Sequence, residues 1–150
     1  MPEIRIRPLQ PPDRAAWEPL WKGYQTFYKV DLGPVVADTT WQRFHDLAEP
    51  MHALGAFEGE RLVGIVHYIF HRSCWTVEPS VYLQDLFAVP DLRGKGVGRA
   101  LIEAVADVAR KAGSTRVHWL THESNATARL LYDRIADNPG FMQYRMNIKP

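Results

Sequence analysis

The stretch best equipped for chemistry is Val81–Gly98, VYLQDLFAVPDLRGKGVG. Within it Gly94, Gly96 and Gly98 alternate with Lys95 and Val97, immediately before an amphipathic run. Glycine at alternate positions lets the backbone turn tightly and removes the Cβ atoms that would keep a ligand away. The first amides of the helix that follows have no intrahelical partners and sit at the positive end of its dipole. Phosphate oxygens suit that position, and Arg93, Lys95 and Arg99 add cationic character around it. The loop is not a P-loop, because Gly94-Lys95 is followed by Gly96 and not by Ser or Thr. It is not the dinucleotide fingerprint either, whose third glycine would fall on Arg99 or Leu101. Arg-x-x-Gly-x-Gly fits, at Arg93, Gly96 and Gly98. The plain alternative is a glycine-rich turn that only joins strand to helix.

The other reactive side chains are more dispersed. Gln84-Asp85 stands on the strand that feeds the loop, the two side chains alternating to opposite faces. Asn125 and Tyr132 are seven residues apart, so on one helix they project from nearly the same face. His67 and His71, and likewise His118 and His122, are four apart on strands. That spacing shares a face but spans roughly 13 Å, too far for one pair to chelate a metal, so only pairing between strands would make a site and no metal is expected. Trp17, Trp21, Tyr24, Phe27 and Tyr28 follow helical spacing and read first as core.

The elements that must position these groups are legible in the periodicity. Ile4 and Ile6 alternate with Arg5 and Arg7 as a strand that Pro8 ends. A helix runs from Pro12–Asp13 to Tyr28, with a kink or late start expected at Pro19. Thr39 and Thr40 are cap candidates for a short helix through Trp41, Phe44 and Leu47. His52–Phe57 and Arg61–His71 flank a Glu58-Gly59-Glu60 turn, and Val81–Val89 is a third strand. Val97–Ala112 is a strong helix, stopped by Gly113. A strand at Thr115–Thr121, a helix at Ser124–Ala136 and a final strand at Phe141–Ile148 complete the chain.

At 150 residues, 46% of them hydrophobic, the sequence suits one packed α/β domain over 1–150. A net charge of +1 gives no global field for nucleic acid or an anionic membrane, and neither is expected as a partner. Cys74 is the only cysteine, which excludes an intrachain disulfide and fits a reducing compartment. Met1–Gln10 lacks the apolar stretch of a signal peptide, and no segment approaches the ~20 apolar residues of a membrane span. A cytoplasmic location is the expectation.

From Tyr82 to Tyr144 the sequence resembles the GCN5-related N-acetyltransferase superfamily. Arg93-x-x-Gly96-x-Gly98 stands where that family has its acetyl-CoA pyrophosphate loop. The second block follows in order as Thr115–Thr121, Asn125, Leu131-Tyr132 and Gly140-Phe141. Tyr82-Leu83-Gln84-Asp85-Leu86-Phe87 and Tyr144-Arg145 are similar to the branch of diamine and polyamine acetyltransferases and yeast histone/polyamine and D-amino-acid acetyltransferases. The resemblance implies a mixed, mainly antiparallel sheet of six to seven strands with about four helices. It also implies acetyl-CoA as cosubstrate and no metal. Main-chain groups of Leu86, Phe87, Ala88 and Val89 would pair with the pantetheine arm and supply an oxyanion donor. Gly94, Lys95, Gly96, Val97, Gly98 and Arg99 would hold the pyrophosphate, and Asn125 the cofactor's far end.

The same resemblance makes Tyr132 the general acid for the departing sulfur, and makes Tyr24, Tyr28 and Gln84 candidates for the acceptor wall. Related polyamine enzymes often carry Glu where Gln84 stands, and an amide cannot accept a proton in the useful range. Asp85 is left either as a base acting through water or as a structural acceptor for loop amides, and an amine selected already deprotonated needs neither. The expected reaction is direct attack of a primary amine of a small molecule, a diamine, polyamine or amino acid, on the thioester. Alternatives are a protein or peptide N-acetyltransferase and a non-catalytic acetyl-CoA-binding regulator. A homodimer through the final strand is a further option.

Overall fold

The computed structural model describes residues 3–149. They divide into two units, Met1–Trp119 and Leu120–Pro150. The first holds β1 (Ile4–Pro8), α1 (Arg14–Phe27), α2 (Gly33–Phe44), β2 (Met51–Glu58), β3 (Arg61–His71), β4 (Ser80–Ala88), α3 (Val97–Lys111) and β5 (Val117–His118). The second holds α4 (Ala126–Ile135). Among the described residues the sheet has five strands in the order β1-β2-β3-β4-β5, fewer than the six to seven expected. All neighbours are antiparallel except β4 and β5, which run parallel.

Two of the expected strands differ: one is present but short, and one is missing. The stretch at 115–121 pairs only at Val117 and His118. Among the described residues no final strand forms, although Met142, Tyr144, Met146 and Ile148 alternate with polar residues as a strand would. A strand needs a neighbour to satisfy its amides and carbonyls, and among the described residues the second unit has no other strand.

The helices depart from expectation in two places. α1 runs unbroken past Pro19, because its face of Trp17, Leu20 and Trp21 is buried and packing outweighs one lost hydrogen bond. α2 begins at Gly33, not at Thr39 or Thr40, which lie inside it. Gly33 takes a φ of +79°, and Pro34, fixed at helical φ, stands in the first turn.

Alternation along β3 sorts the core onto two faces. Ile65 joins Trp17, Leu20, Trp21, Ala37 and Trp41 in one cluster, which unites α1 and α2 with the sheet. Trp17 is fully buried and lies 4.8 Å from Trp41 between ring centroids. Truncating a core aromatic of this kind costs about 3–5 kcal/mol. On the opposite face Gly64 lets α3 approach, since a Cβ there would meet Val97 at 2.7 Å and Leu101 at 3.0 Å. Gly23 in α1 does the same for Phe87, whose ring would lie 2.7 Å from a Cβ. The first seats α3 on β3, and the second seats α1 on β4, the strand that leads into the glycine loop.

Candidate active site

β4 ends at Ala88, a short 3-10 turn covers Pro90–Leu92, and α3 begins at Val97. Gly94 and Gly96 have φ of +78° and +89°, the left-handed region that a side chain resists. Gly96 is the residue before α3, and no side chain caps that helix. The amides of Val97, Gly98 and Arg99 therefore start the helix without intrahelical acceptors. Gly98 is different: a Cβ there would meet nothing nearer than Leu86 at 3.9 Å. The protein itself does not require glycine at that position, so the open space belongs to whatever approaches the helix start. An oxyanion such as a phosphate fits it.

The edge of β4 beside the loop is equally open. β5 pairs with β4 only at Val81 and Tyr82, so the strand has no partner on that side over Leu83–Ala88 among the described residues. On the other side the Val89 amide donates to Val63 oxygen at 2.9 Å. Hydrogen-bond direction alternates along an antiparallel ladder, so Phe87 turns its main chain toward β3, and Leu86 and Ala88 turn theirs to the open edge. The Val89 carbonyl is taken by the Leu92 amide at 3.1 Å. Of the four residues expected to bind a pantetheine arm, only Leu86 and Ala88 offer it main-chain groups. The Ala88 oxygen is already taken by Arg93 Nε at 3.2 Å.

Asp85 begins that segment. A register shift sets His67 opposite Asp85 and Tyr68 opposite Leu83, which leaves Gln84 as the extra, exposed residue of a β-bulge. Asp85 is 8% exposed. Its Oδ2 lies 2.9 Å from Nδ1 of His67, while Nε2 of His67 accepts from the Trp17 indole at 3.0 Å. Burial, and after it the charge and hydrogen bond of Asp85, push the Tyr24 hydroxyl well above its ordinary value. Burial and the same carboxylate raise Tyr28 as well. Asp85 thus accepts from side chains of β3 and α1, not from loop amides. Trp21 stacks on Tyr24 at 5.4 Å, and its buried Nε1 has no hydrogen-bond partner among the described residues.

The cations around the loop are less available than their spacing suggests. The Arg93 guanidinium lies over Phe27 and Phe87, at 5.7 and 5.2 Å from the ring centroids. Arg99 pairs with Glu103 at 2.9 Å. Lys95 is exposed beside Asp91, whose carboxyl is held low by Arg61 and, to a lesser extent, by that lysine. In the second unit Asn125 stands just before α4, its Nδ2 3.5 Å from Thr121 Oγ1, and Tyr132 lies half-buried on the same helix. His71 and His118 do meet between strands, Nε2 to Nε2 at 2.9 Å. His71 donates from Nδ1 to the Arg72 carbonyl, so its Nε2 accepts from His118 and the pair is satisfied by itself. No group of three or more metal-ligating side chains occurs among the described residues.

Two participants escaped the sequence reading. His67 reads from the sequence only as a strand histidine, and Trp17 only as core, where the structure does bury it. The signal was the run Gly64-Ile65-Val66-His67-Tyr68-Ile69, where a histidine amid apolar residues must find partners once buried.

Residues 16–136 match the acetyltransferase (GNAT) family, and the chain belongs to it. It is an acetyl-transferring enzyme. Over 146 residues it is 39% identical to the D-amino-acid N-acetyltransferase of Saccharomyces cerevisiae, covering 96% of this chain and 91% of the yeast protein. Over 108 residues it is 33% identical to the thialysine N-epsilon-acetyltransferase of Mus musculus, covering 68% of this chain and 63% of that one. Among solved structures, the ribosomal-protein-alanine N-acetyltransferase of Brucella melitensis biovar Abortus 2308 matches with a TM-score of 0.83 at 25% identity. That match covers 97% of this chain and 100% of the other.

Proposed function

We propose that the enzyme moves the acetyl group of acetyl-CoA to the primary amine of a small molecule, with amino acids, D-amino acids foremost, as the acceptors to test first. One observation carries this reading. A buried carboxylate, Asp85, lies on the same strand as the open main-chain edge at Leu86 and Ala88, and that strand runs directly into the uncapped start of α3. On this reading the three serve, in chain order, as amine anchor, thioester-binding edge and anion site. The yeast relative, matched over nearly its whole length, supports the choice of acceptor.

In this reading acetyl-CoA supplies an acetyl group already activated as a thioester. Gly94–Arg99 hold its pyrophosphate and Asn125 its far end. Alkylamines are mostly protonated near neutrality, so the acceptor arrives as a cation, anchored by Asp85 between Tyr24 and Tyr28 with Gln84 at the rim. Asp85, directly or through a water, takes its proton and frees the lone pair for attack. The Leu86 or Ala88 amide donates to the carbonyl oxygen as negative charge grows there. As the carbon–sulfur bond breaks, Tyr132 returns a proton to the sulfur. The reading takes 1–150 as one N-acetyltransferase domain, supported by a family match that runs across the division after Trp119. It also takes the protein as cytoplasmic, and as a homodimer in which the alternating segment 142–148 finds a strand partner.

The test is acetyl-CoA-dependent thiol release, scanned over D- and L-amino acids, diamines, polyamines and a lysine-rich peptide. Release with free amino acids is expected. Release only with the peptide would move the acceptor to proteins, and none at all, with acetyl-CoA bound, would leave a sensor.

A further inference from the structure

A histidine beside a buried aspartate would ordinarily be read as an ion pair, His⁺ with Asp⁻. The indole of Trp17 forbids it. An indole N–H only donates, and it points at His67 Nε2 from 3.0 Å. That nitrogen must therefore present a lone pair, and the ring's single proton sits on Nδ1, facing Asp85 Oδ2 at 2.9 Å. A second proton on His67 would set two N–H groups against each other in a site where His67 is 3% exposed.

Among the described residues, the other side chains recorded around this pair carry no positive charge. From α1 come Trp17, Trp21, Tyr24 and Tyr28, and Phe44 of α2 lies 4.7 Å from the imidazole. β4 contributes Tyr82, whose influence reaches Tyr24. A neutral His67 therefore holds Asp85 through a hydrogen bond and brings no positive charge to it. Burial first, and the Asp85 carboxylate after it, make Tyr24 and Tyr28 harder to ionise.

We infer that His67, locked by Trp17 as the neutral Nδ1–H tautomer, is a positioning residue that holds Asp85 as an uncompensated carboxylate reserved for the cationic acceptor amine. This rests on the proposed acceptor site and adds what makes it selective. A charged His67 would cancel the carboxylate, whereas a neutral donor orients it at no cost in charge. Trp17, deep in the core, acts only through the histidine.

The tautomer is read directly by two-bond ¹H–¹⁵N correlation of the histidines in the full-length protein. His67 is expected as the neutral Nδ1–H tautomer at neutral pH. An Nε2–H or imidazolium signal for His67 at neutral pH overturns the inference, whatever the enzyme's activity. The kinetic arm compares His67→Leu with His67→Asn, whose amide nitrogen can stand in for Nδ1. His67→Leu should lower kcat/KM for amines about tenfold or more and displace the acidic limb of its pH profile, with His67→Asn recovering most of the loss. Trp17→Phe should let His67 take a proton, adding a histidine-like inhibition on the acid side. If that variant fails to fold, the His67 pair still decides. An unchanged pH profile in His67→Leu rejects the positioning role. A wild-type enzyme silent with every amine would reject the acceptor site itself, which the tautomer measurement separates from a failure of the lock.

Discussion

Asp85 and Tyr132 divide the proton traffic of the proposed reaction, one at the incoming nitrogen and one at the outgoing sulfur. Tyr132→Phe should lower kcat by about 10²-fold, as loss of a general acid does, with acetyl-CoA binding by calorimetry unchanged. Turnover at the wild-type rate would remove the tyrosine from the mechanism. The glycines can be ranked by geometry. Gly96 has a φ of +89°, so a side chain there strains the loop even without a ligand. Gly98 lies within α3 and a Cβ would sit 3.9 Å from Leu86, so Gly98→Val should fold normally and lose acetyl-CoA. Retained binding in a folded Gly98→Val protein would show that the phosphates lie elsewhere.

Among the elements, β3, β4 and α3 form the platform, and Gly64 sets their spacing. Gly64→Val places methyl groups inside Val97 and Leu101, pushing α3 from the sheet. Overpacking of this kind costs about 1–3 kcal/mol, so chemical denaturation should reveal a loss of that size along with weaker cofactor binding. At the other end of the sheet Arg7 of β1 makes a two-pronged contact with Asp13, at 2.8 and 3.1 Å, just before α1. The Arg7 bonds hold the Asp13 carboxyl below its ordinary 3.8. A depressed carboxylate stabilises the fold fully above that value and loses its contribution as pH falls through the folded one. Asp13→Asn should therefore cost about 1 kcal/mol at pH 7, a difference that disappears in acid when Asp13 itself is protonated. A gap between variant and wild type that persists unchanged into acid would contradict the assignment.

For the whole molecule, the exposed alternating segment is 142–148. Tyr144 is 90% exposed and Met146 84%, far more apolar surface than a short tail of a lone chain would ordinarily present. Under the homodimer reading, light scattering on the full chain should give twice the monomer mass, and removal of residues 141–150 should give the monomer. A monomeric full chain would end that reading. No described helix is long and apolar enough to cross a membrane.

What the sequence by itself determined is local chemistry and period. The glycine loop, the strand before it and the helix after it were all readable at Val81–Lys111, because turn residues and apolar spacing are written in consecutive positions. Even there, spacing could not say which way Arg93 and Arg99 turn, since Phe27, Phe87 and Glu103 compete for them. α2 was misplaced because a buried Trp41 and the Gly33-Pro34 start outweighed two cap-like threonines. The final strand was read from a true alternation, but a strand exists only when another edge meets it. Tertiary structure alone decided the fate of Asp85. It sits 18 residues from His67 and 68 from Trp17, and the bulge at Gln84 aligns it with the histidine. Hydrogen bonds over such separations leave no periodic trace, so the lock on that carboxylate became visible only once the sheet and α1 were packed together.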